Sequence, residues 1–319
     1  MRPLLALDSA SLWFRAFYGV PMTLTAEDGT PVNAVRGFCD MVARLVTARR
    51  PAGVVACLDR DWRPAFRVAA IPSYKAHRVD GDPAAPGGGA PDAEAAPPEL
   101  GRQVEIILQV LAAAGIPTAG AEGFEADDVL GTLVATETAS PVEVVSGDRD
   151  LLQLVRDEPT PVRIVYVARG VSKYELYGPE EVAARYGVPV DRAGVGYAEM
   201  AMLRGDPSDG LPGVAGIGEK TAAQVISKFG SWDEIVAAVG SKDPRMSSAV
   251  RAKMARVPEY LAAAPTVVRV AADAPIDWTG SVTPLPHSPA DPDALAALSE
   301  RWNLSGSVDR LTAALAAED

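Results

Sequence analysis

Three short apolar runs along this chain each finish on an aspartate. PLLALD (3–8), GVVACLD (53–59) and PVEVVSGD (141–148) are rich in Val, Leu and Ala, and each has the length of a buried strand. VRIVYVA (162–168) predicts a fourth. Between the runs the period changes. Val35, Phe38, Val42, Leu45 and Val46 recur at helical spacing within 32–48, as do Leu100, Val104, Ile107, Leu108 and Leu111 farther on. Another helix is expected from about Glu125 to Glu137. Strands alternating with helices predict an α/β fold, with a mostly parallel central sheet flanked by helices. From about 196 onward no strand is expected, and short helices with Gly-rich turns take over. The stretch 265–319 has Pro-rich connections and two helical patterns, 293–302 and 307–317. The expected divisions are a 1–195 α/β core, a 196–264 helical module, and a 265–319 extension whose amphipathic helices pack back on the core. Residues 80–98, DGDPAAPGGGAPDAEAAPP, offer little to pack and are expected to form a mobile surface loop.

Composition narrows the classes. The 319 residues are 48% hydrophobic, ordinary for a globular chain with a full core. The net charge of −12 means that nucleic acid is admitted only where cations cluster locally. Cys39 and Cys57 sit in no CxxC or Cys/His spacing, which fits two buried thiols in a reducing, cytoplasmic setting. The start, MRPLLALDSA, meets Asp8 too soon for a signal peptide, and no run reaches the length of a membrane span.

The acids carry the chemistry. In an open α/β sheet, ligands bind at the carboxyl ends of the strands, where Asp8, Asp59 and Asp148 would converge if their strands are neighbours. FEADDVLGTLV (124–134) adds Glu125, Asp127 and Asp128 at a helix start, where the helix dipole tolerates acids. Asp150 begins the next helical run, and GDPSDGLPG (205–213) adds Asp206 and Asp209. Taken singly, turn and cap chemistry explains each of them. Nine gathered carboxylates would repel one another and raise their own pKa values. Hard divalent cations remove that conflict, and oxygen-only donors select Mg²⁺ or Mn²⁺ over zinc. Two such ions about 4 Å apart form a clamp for in-line phosphodiester hydrolysis. His77 and His287 stand apart and are expected at the surface.

Two segments supply cations for phosphate. GVAGIGEKTAAQVISKFG (213–230) lacks the P-loop spacing, but its glycines allow a tight hairpin between two helices. Gly216 and Gly218 would let a phosphodiester come close to free N–H groups, with Lys220 and Lys228 adding charge; a plain Gly helix cap is the alternative. FRVAAIPSYKAHR (66–78) sets Arg67, Lys75 and Arg78 around Tyr74, a pattern that grips single strands or else forms a solvated helix face. WFRAFYG (13–19) offers Arg15 and Tyr18 near Asp8.

In order along residues 1–260, LALDSASLWFRAF, CLD, FR with YKAHR, GFEADDVLG, SGDRDLLQLV and GDPSDGLPGVAGIGEKTA resemble the motifs of the 5′-nuclease superfamily. That superfamily comprises bacterial 5′–3′ exonucleases and flap endonucleases, including the N-terminal domain of bacterial DNA polymerase I. The resemblance implies a PIN/5′-nuclease-like fold with a helix–hairpin–helix module. It implies that Asp8, Asp59, Glu125, Asp127, Asp128, Asp148, Asp150, Asp206 and Asp209 hold two or three divalent ions. Asp8, Asp59, Glu125, Asp127 and Asp148 would favour the tighter catalytic site, and Asp150, Asp206 and Asp209 the second. Lys75 and Arg78 would contact the scissile phosphate, residues 74–100 within the arch region 66–100 would pass a 5′ single strand, and Gly213–Thr221 would hold duplex phosphates around a K⁺ ion. The implied activity is structure-specific cleavage of DNA at 5′ flaps, nicks, gaps and 5′ ends, serving Okazaki-fragment processing and repair. A nucleoid-associated monomer is expected, working with other replication or repair proteins, and a stand-alone enzyme, because no polymerase domain follows. One spacing departs from the family. Asp59 stands eight residues before Arg67 and Asp61 six, where seven is usual, and Asp59 is preferred because it ends the strand. A non-catalytic DNA-junction binder of the same fold is the alternative; a PIN-type ribonuclease would lack the hairpin module.

Overall fold

The computed structural model describes residues 1–79 and 96–317; the expectation for 80–98 lies almost wholly outside the described residues. Seven strands form one sheet: β1 (Leu4–Asp8), β2 (Gly53–Leu58), β3 (Thr118–Gly120), β4 (Val142–Ser146), β5 (Val162–Tyr166), β6 (Glu175–Tyr177) and β7 (Asp277–Trp278). Their spatial order is β6-β5-β4-β1-β2-β3-β7. The inner five run parallel, with Asp8 beside Cys57 and Leu7 beside Val145, while β6 and β7 close the two edges antiparallel. The chain builds outward from β1 in one direction through β2 and β3, then returns to lay β4 on the other side of β1. That reversal is a topological switch point, where a crevice opens at the strand ends.

Alternation within the strands divides the core between two faces. Leu5, Leu7, Val54, Ala56, Val145 and Val165 point to one side. There they meet α1 (Ser9–Gly19), α2 (Asn33–Arg49) and α4 (Pro98–Ala114). Ala6, Val55, Cys57, Val144 and Ile164 point to the other, toward α5 (Ala126–Thr136) and α7 (Ala193–Arg204). Both faces are covered, so the central strands read as continuous apolar runs. Both cysteines are free and buried, as the spacing suggested.

Two smaller helices complete this part of the chain: α3 (Ala65–Ala70) leads toward Tyr74, and α6 (Pro179–Tyr186) precedes α7. After α7 come α8 (Glu219–Ile226), α9 (Trp232–Gly240), α10 (Ser248–Met254) and α11 (Pro258–Val268). The turn between α7 and α8 folds tightly because Gly213, at φ +64°, lies against Gly205; a Cβ there would come within 2.4 Å of the Gly205 nitrogen. The apolar residues of α8, α9 and α11 join the core on the α7 side.

The stretch after α11 departs from its sequence reading in one respect. It returns a strand, β7, to pair with β3, and no periodicity could show a strand of two residues. Past β7, α12 (Pro292–Arg301) and α13 (Ser305–Ala316) lie over α4 and α2, and Leu295, Trp302, Val308 and Leu311 join their core. Gly53 permits the approach: the Val282 carbonyl would be 2.0 Å from any Cβ at that position. Among the described residues, no helix is long and apolar enough to cross a membrane.

Candidate active site

Asp8 ends β1 and caps α1, accepting the Ser11 N–H at 3.1 Å and the Ser146 hydroxyl at 2.5 Å. Ser146 is the last residue of β4, so one hydrogen bond ties the two strand ends on either side of the switch point. The Ser146 hydroxyl in turn accepts the Asp148 N–H at 2.9 Å, which sets the turn carrying Asp148. Asp59, just past β2, accepts the Ala126 N–H at 2.6 Å and so fixes the start of α5 to the end of β2. That places Asp127, in the first turn of α5, beside Asp8 and Asp148. Asp8, Asp59, Glu125, Asp127 and Asp148 all line one cavity of about 790 Å³. Asp61 turns away to accept the Arg63 N–H at 3.0 Å and does not line it.

A second acidic group adjoins the first. Asp150 begins the expected helical run, which is a short 3-10 helix, Asp150–Leu154. With Asp206 and Asp209 it lines a narrow cleft that Glu125 and Asp127 share. Asp206 and Leu211 exchange backbone hydrogen bonds of 3.0 and 2.8 Å, closing the loop that carries Asp209.

Desolvation and mutual repulsion act on these acids together. Burial pushes Asp8 up to about 7, with Asp59 and Asp148 adding to the rise. Burial, then Asp8 and Asp148, hold Asp127 well above the usual carboxylate range; burial, then Asp148, Asp209 and Asp206, do the same to Asp150. Asp59 and Asp209 are raised as well, chiefly by burial. Among the described residues no three His, Cys, Asp or Glu side chains close on a single point as a ready-made cage. The donors are all carboxylate oxygens spread around an open cavity. That geometry suits a hard cation that keeps several of its waters and takes one or two carboxylates.

Four sequence expectations are corrected by burial. Asp128 is fully buried and is not placed to bind a metal. Its Oδ1 accepts Arg67 at 2.6 Å and the Ala271 N–H at 2.8 Å; its Oδ2 accepts Arg67 at 2.7 Å and the Glu125 N–H at 3.2 Å. Arg67, only 2% exposed, is therefore an internal counter-ion and does not reach DNA. Tyr74 is buried too, its hydroxyl donating to Glu125 at 2.7 Å, so it is not a stacking platform. Gly213 is buried in the turn against Gly205 and serves that turn rather than a phosphate.

Glu125 holds the cations together: Arg67 at 2.6 Å and Tyr74 reach one oxygen, and Lys75 the other. Lys75 lines the cavity, and although burial would lower its pKa, Glu125, Asp209 and Asp127 hold it above the ordinary value. Arg78, also on the cavity wall, donates to Asp209 at 2.8 Å and to the Ser208 carbonyl at 2.7 Å. Arg15 lines the cavity and reaches the Ala168 carbonyl at 2.9 Å; Tyr18 is 72% exposed at its rim. Gly216, Gly218 and Lys220 are exposed on the α7–α8 hairpin and the start of α8, Thr221 is half-buried there, and Lys228 is exposed in the turn just past α8. Sequence reasoning did not single out Phe14, Trp62, Arg149 or Tyr166 on the cavity wall, nor Lys253, whose ammonium donates to the Gly216 carbonyl at 2.7 Å. Arg149 sat inside a quoted motif and was legible there; Lys253, thirty-seven residues from Gly216, was not.

Family comparison agrees with this geometry. The model of the 5′–3′ exonuclease N-terminal, resolvase-like domain matches residues 3–187, and that of the 5′–3′ exonuclease C-terminal SAM fold matches 194–291. The chain belongs to the 5′–3′ exonuclease family. It is 54% identical to a 5′–3′ exonuclease of Mycobacterium tuberculosis, over 98% of each chain. A 5′–3′ exonuclease of Streptomyces coelicolor is 52% identical over 98% of this chain and 99% of its own. DNA polymerase I of Mycobacterium tuberculosis is 38% identical over 80% of this chain and 26% of its length. The fold is shared with the T5 5′-exonuclease described with bound zinc, at 16% identity and a TM-score of 0.61 over 98% of both chains. It is also shared with the catalytic core of Rad2 in complex with DNA substrate, at 18% identity and a TM-score of 0.56 over 100% of this chain and 93% of that one. This member of the family is a nuclease, a hydrolase of phosphodiesters.

Proposed function

We propose that this nuclease is structure-specific, cutting DNA at 5′ flaps, nicks, gaps and 5′ ends with two divalent cations, Mg²⁺ or Mn²⁺. The observation that carries the reading is the convergence of Asp8, Asp59, Asp127 and Asp148 on one cavity whose wall also presents Lys75 and Arg78. Asp8, Asp59, Asp127 and Asp148 would hold the ion nearer the chemistry, and Asp150, Asp206 and Asp209 the other; Glu125, expected in the first set, has its two oxygens taken by Arg67, Tyr74 and Lys75 instead. Bound cations would supply charge neutralisation at the phosphate and an activated water.

The chain's own groups do the rest. Lys75 and Arg78 orient the scissile phosphate and stabilise the charge that grows on it. Both are tethered to acids, Lys75 to Glu125 and Arg78 to Asp209, so they enter the cavity from fixed positions. Exposed Lys220 and Lys228 take duplex phosphates, and the N–H groups at the start of α8 face the same backbone. A K⁺ ion at this hairpin is a further part of the reading, although Lys253 already occupies the Gly216 carbonyl. Contacts to phosphate select DNA by shape rather than by base. Work as a monomer in replication and repair follows from the family reading.

A 5′-labelled flap duplex, incubated with Mg²⁺, Mn²⁺ or EDTA, tests the proposal. Release of the flap near the junction, only with metal, is the expected result. Tight binding with no cleavage under any metal would replace it with a junction-binding protein.

A further inference from the structure

Arg149 lies between two acids of the site, yet among the described residues no hydrogen bond or ion pair engages its side chain. It lines the cavity and is exposed. Each of the other cavity cations has a partner: Lys75 holds Glu125, Arg78 holds Asp209, and Arg15 holds the Ala168 carbonyl. Among the described residues the Arg149 guanidinium has no hydrogen bond, ion pair or ring contact. Tyr166, at the end of β5, lines the same wall. The edge of its ring contact with Tyr177, 5.9 Å between centroids, steadies it there.

A guanidinium without a partner among the described residues, with the Tyr166 phenol on the same wall, is matched to phosphate. Its planar fork meets two phosphate oxygens at once, and a hydroxyl can donate to a third. The sequence position fixes which phosphate. Cα atoms of neighbouring residues are about 3.8 Å apart, so a group on Arg149 sits within one or two residues' reach of Asp148 and Asp150. We propose that Arg149, assisted by the hydroxyl of Tyr166, forms a subsite for the DNA phosphodiester next to the scissile one. This rests on the nuclease reading of the cavity. Arg149 thereby acts as a positioning residue: it holds the strand in register over the acids, and Lys75 and Arg78 remain free to act on the scissile group.

The test measures binding of a 5′-flap duplex in EDTA, so that cleavage does not intervene, across a salt series. Arg149→Ala is expected to weaken binding about tenfold and to flatten the log K against log salt slope by about 0.7 to 0.9, one phosphate contact. Arg149→Lys should restore the slope but only part of the affinity, because the ammonium keeps the charge and loses the fork. Neutral methylphosphonate linkages, placed one at a time, should weaken the wild type at a position adjacent to the cut and leave Arg149→Ala indifferent at that position alone. Tyr166→Phe should lose affinity at the same linkage. An unchanged salt slope in Arg149→Ala, or a methylphosphonate profile identical to wild type, would overturn the subsite. Wild-type cleavage with Mn²⁺, run alongside, reports on the nuclease reading independently.

Discussion

At the scale of single residues, the same side-chain type serves opposite ends depending on what lies beneath it. Arg67 and Lys75 come from one basic stretch, FRVAAIPSYKAHR, and the sequence offers no reason to separate them. The start of α5 does. Asp128 and Glu125 face Arg67 from inside the protein, and three charged groups satisfy one another there with bonds of 2.6 to 2.7 Å. Arg67→Ala would leave Asp128 buried and unpaired, at a cost of about 3–5 kcal/mol. A large loss in chemical-denaturation midpoint is therefore expected. A variant with undiminished stability and weakened DNA binding would return Arg67 to the surface role read from its sequence. Asp127 and Asp148 are the converse case: they are poorly compensated by any neighbour and face the cavity. Asp127→Ala or Asp148→Ala should abolish metal-dependent cleavage of a flap while leaving flap binding within about tenfold, the scale of one contact. Retained turnover in either would remove that residue from the catalytic set.

Elements place those residues. The acids at 8, 59 and 148 follow strands whose ends lie side by side because β1 sits between β2 and β4. Their position was legible from the apolar runs alone: a strand buried on both faces reads as a mostly apolar run, and each of these three runs finishes on an aspartate. The short strands β3 and β7 were not legible, since they have three residues and two, and pairing rather than periodicity makes them strands. The helical run expected from Asp150 forms as a 3-10 helix, Asp150–Leu154, whose Leu151 and Leu152 pack into the core. Contact between distant elements also acts through single positions. Gly53→Ala should force the Val282 carbonyl off the edge of β2 and cost about 1–3 kcal/mol by overpacking. Thermal unfolding of that variant, showing no loss, would mean that the segment before α12 yields more easily than its packing implies.

The whole molecule carries a net charge of −12, and its strongest concentration of acids is at the site. Asp8, pushed up to about 7, and Asp59, Asp127, Asp150 and Asp209, all raised, bind protons more tightly in the folded chain than in the unfolded one. The stability they contribute is present below the ordinary carboxylate range and is lost as the pH rises through their raised values. The melting temperature in EDTA should therefore fall between about pH 5 and about pH 8 as these groups ionise. A divalent cation should raise it, and more at the higher pH, where the carboxylates are free to bind; saturation at a hundred times Kd is worth about 2.7 kcal/mol. A metal-induced gain that is equal at both pH values, or absent, would mean that these acids do not form the cation site.

By itself the sequence determined where the strands end, which acids stand there, and that a Gly-rich hairpin follows the last acid pair. Those features are local: strand burial, turn chemistry and helix starts are written in a few consecutive residues. Only the tertiary structure decided which of the charged groups reach the cavity. Asp128 and Asp127 are neighbours in sequence, yet one is sealed against Arg67 and the other lines the site, because α5 turns successive side chains by about 100° and the inner face belongs to the core. Likewise Arg149 became conspicuous only once the partners of Lys75, Arg78 and Arg15 could be seen. Whether a charge is already satisfied depends on residues remote in the chain, and no short pattern of residues contains that information.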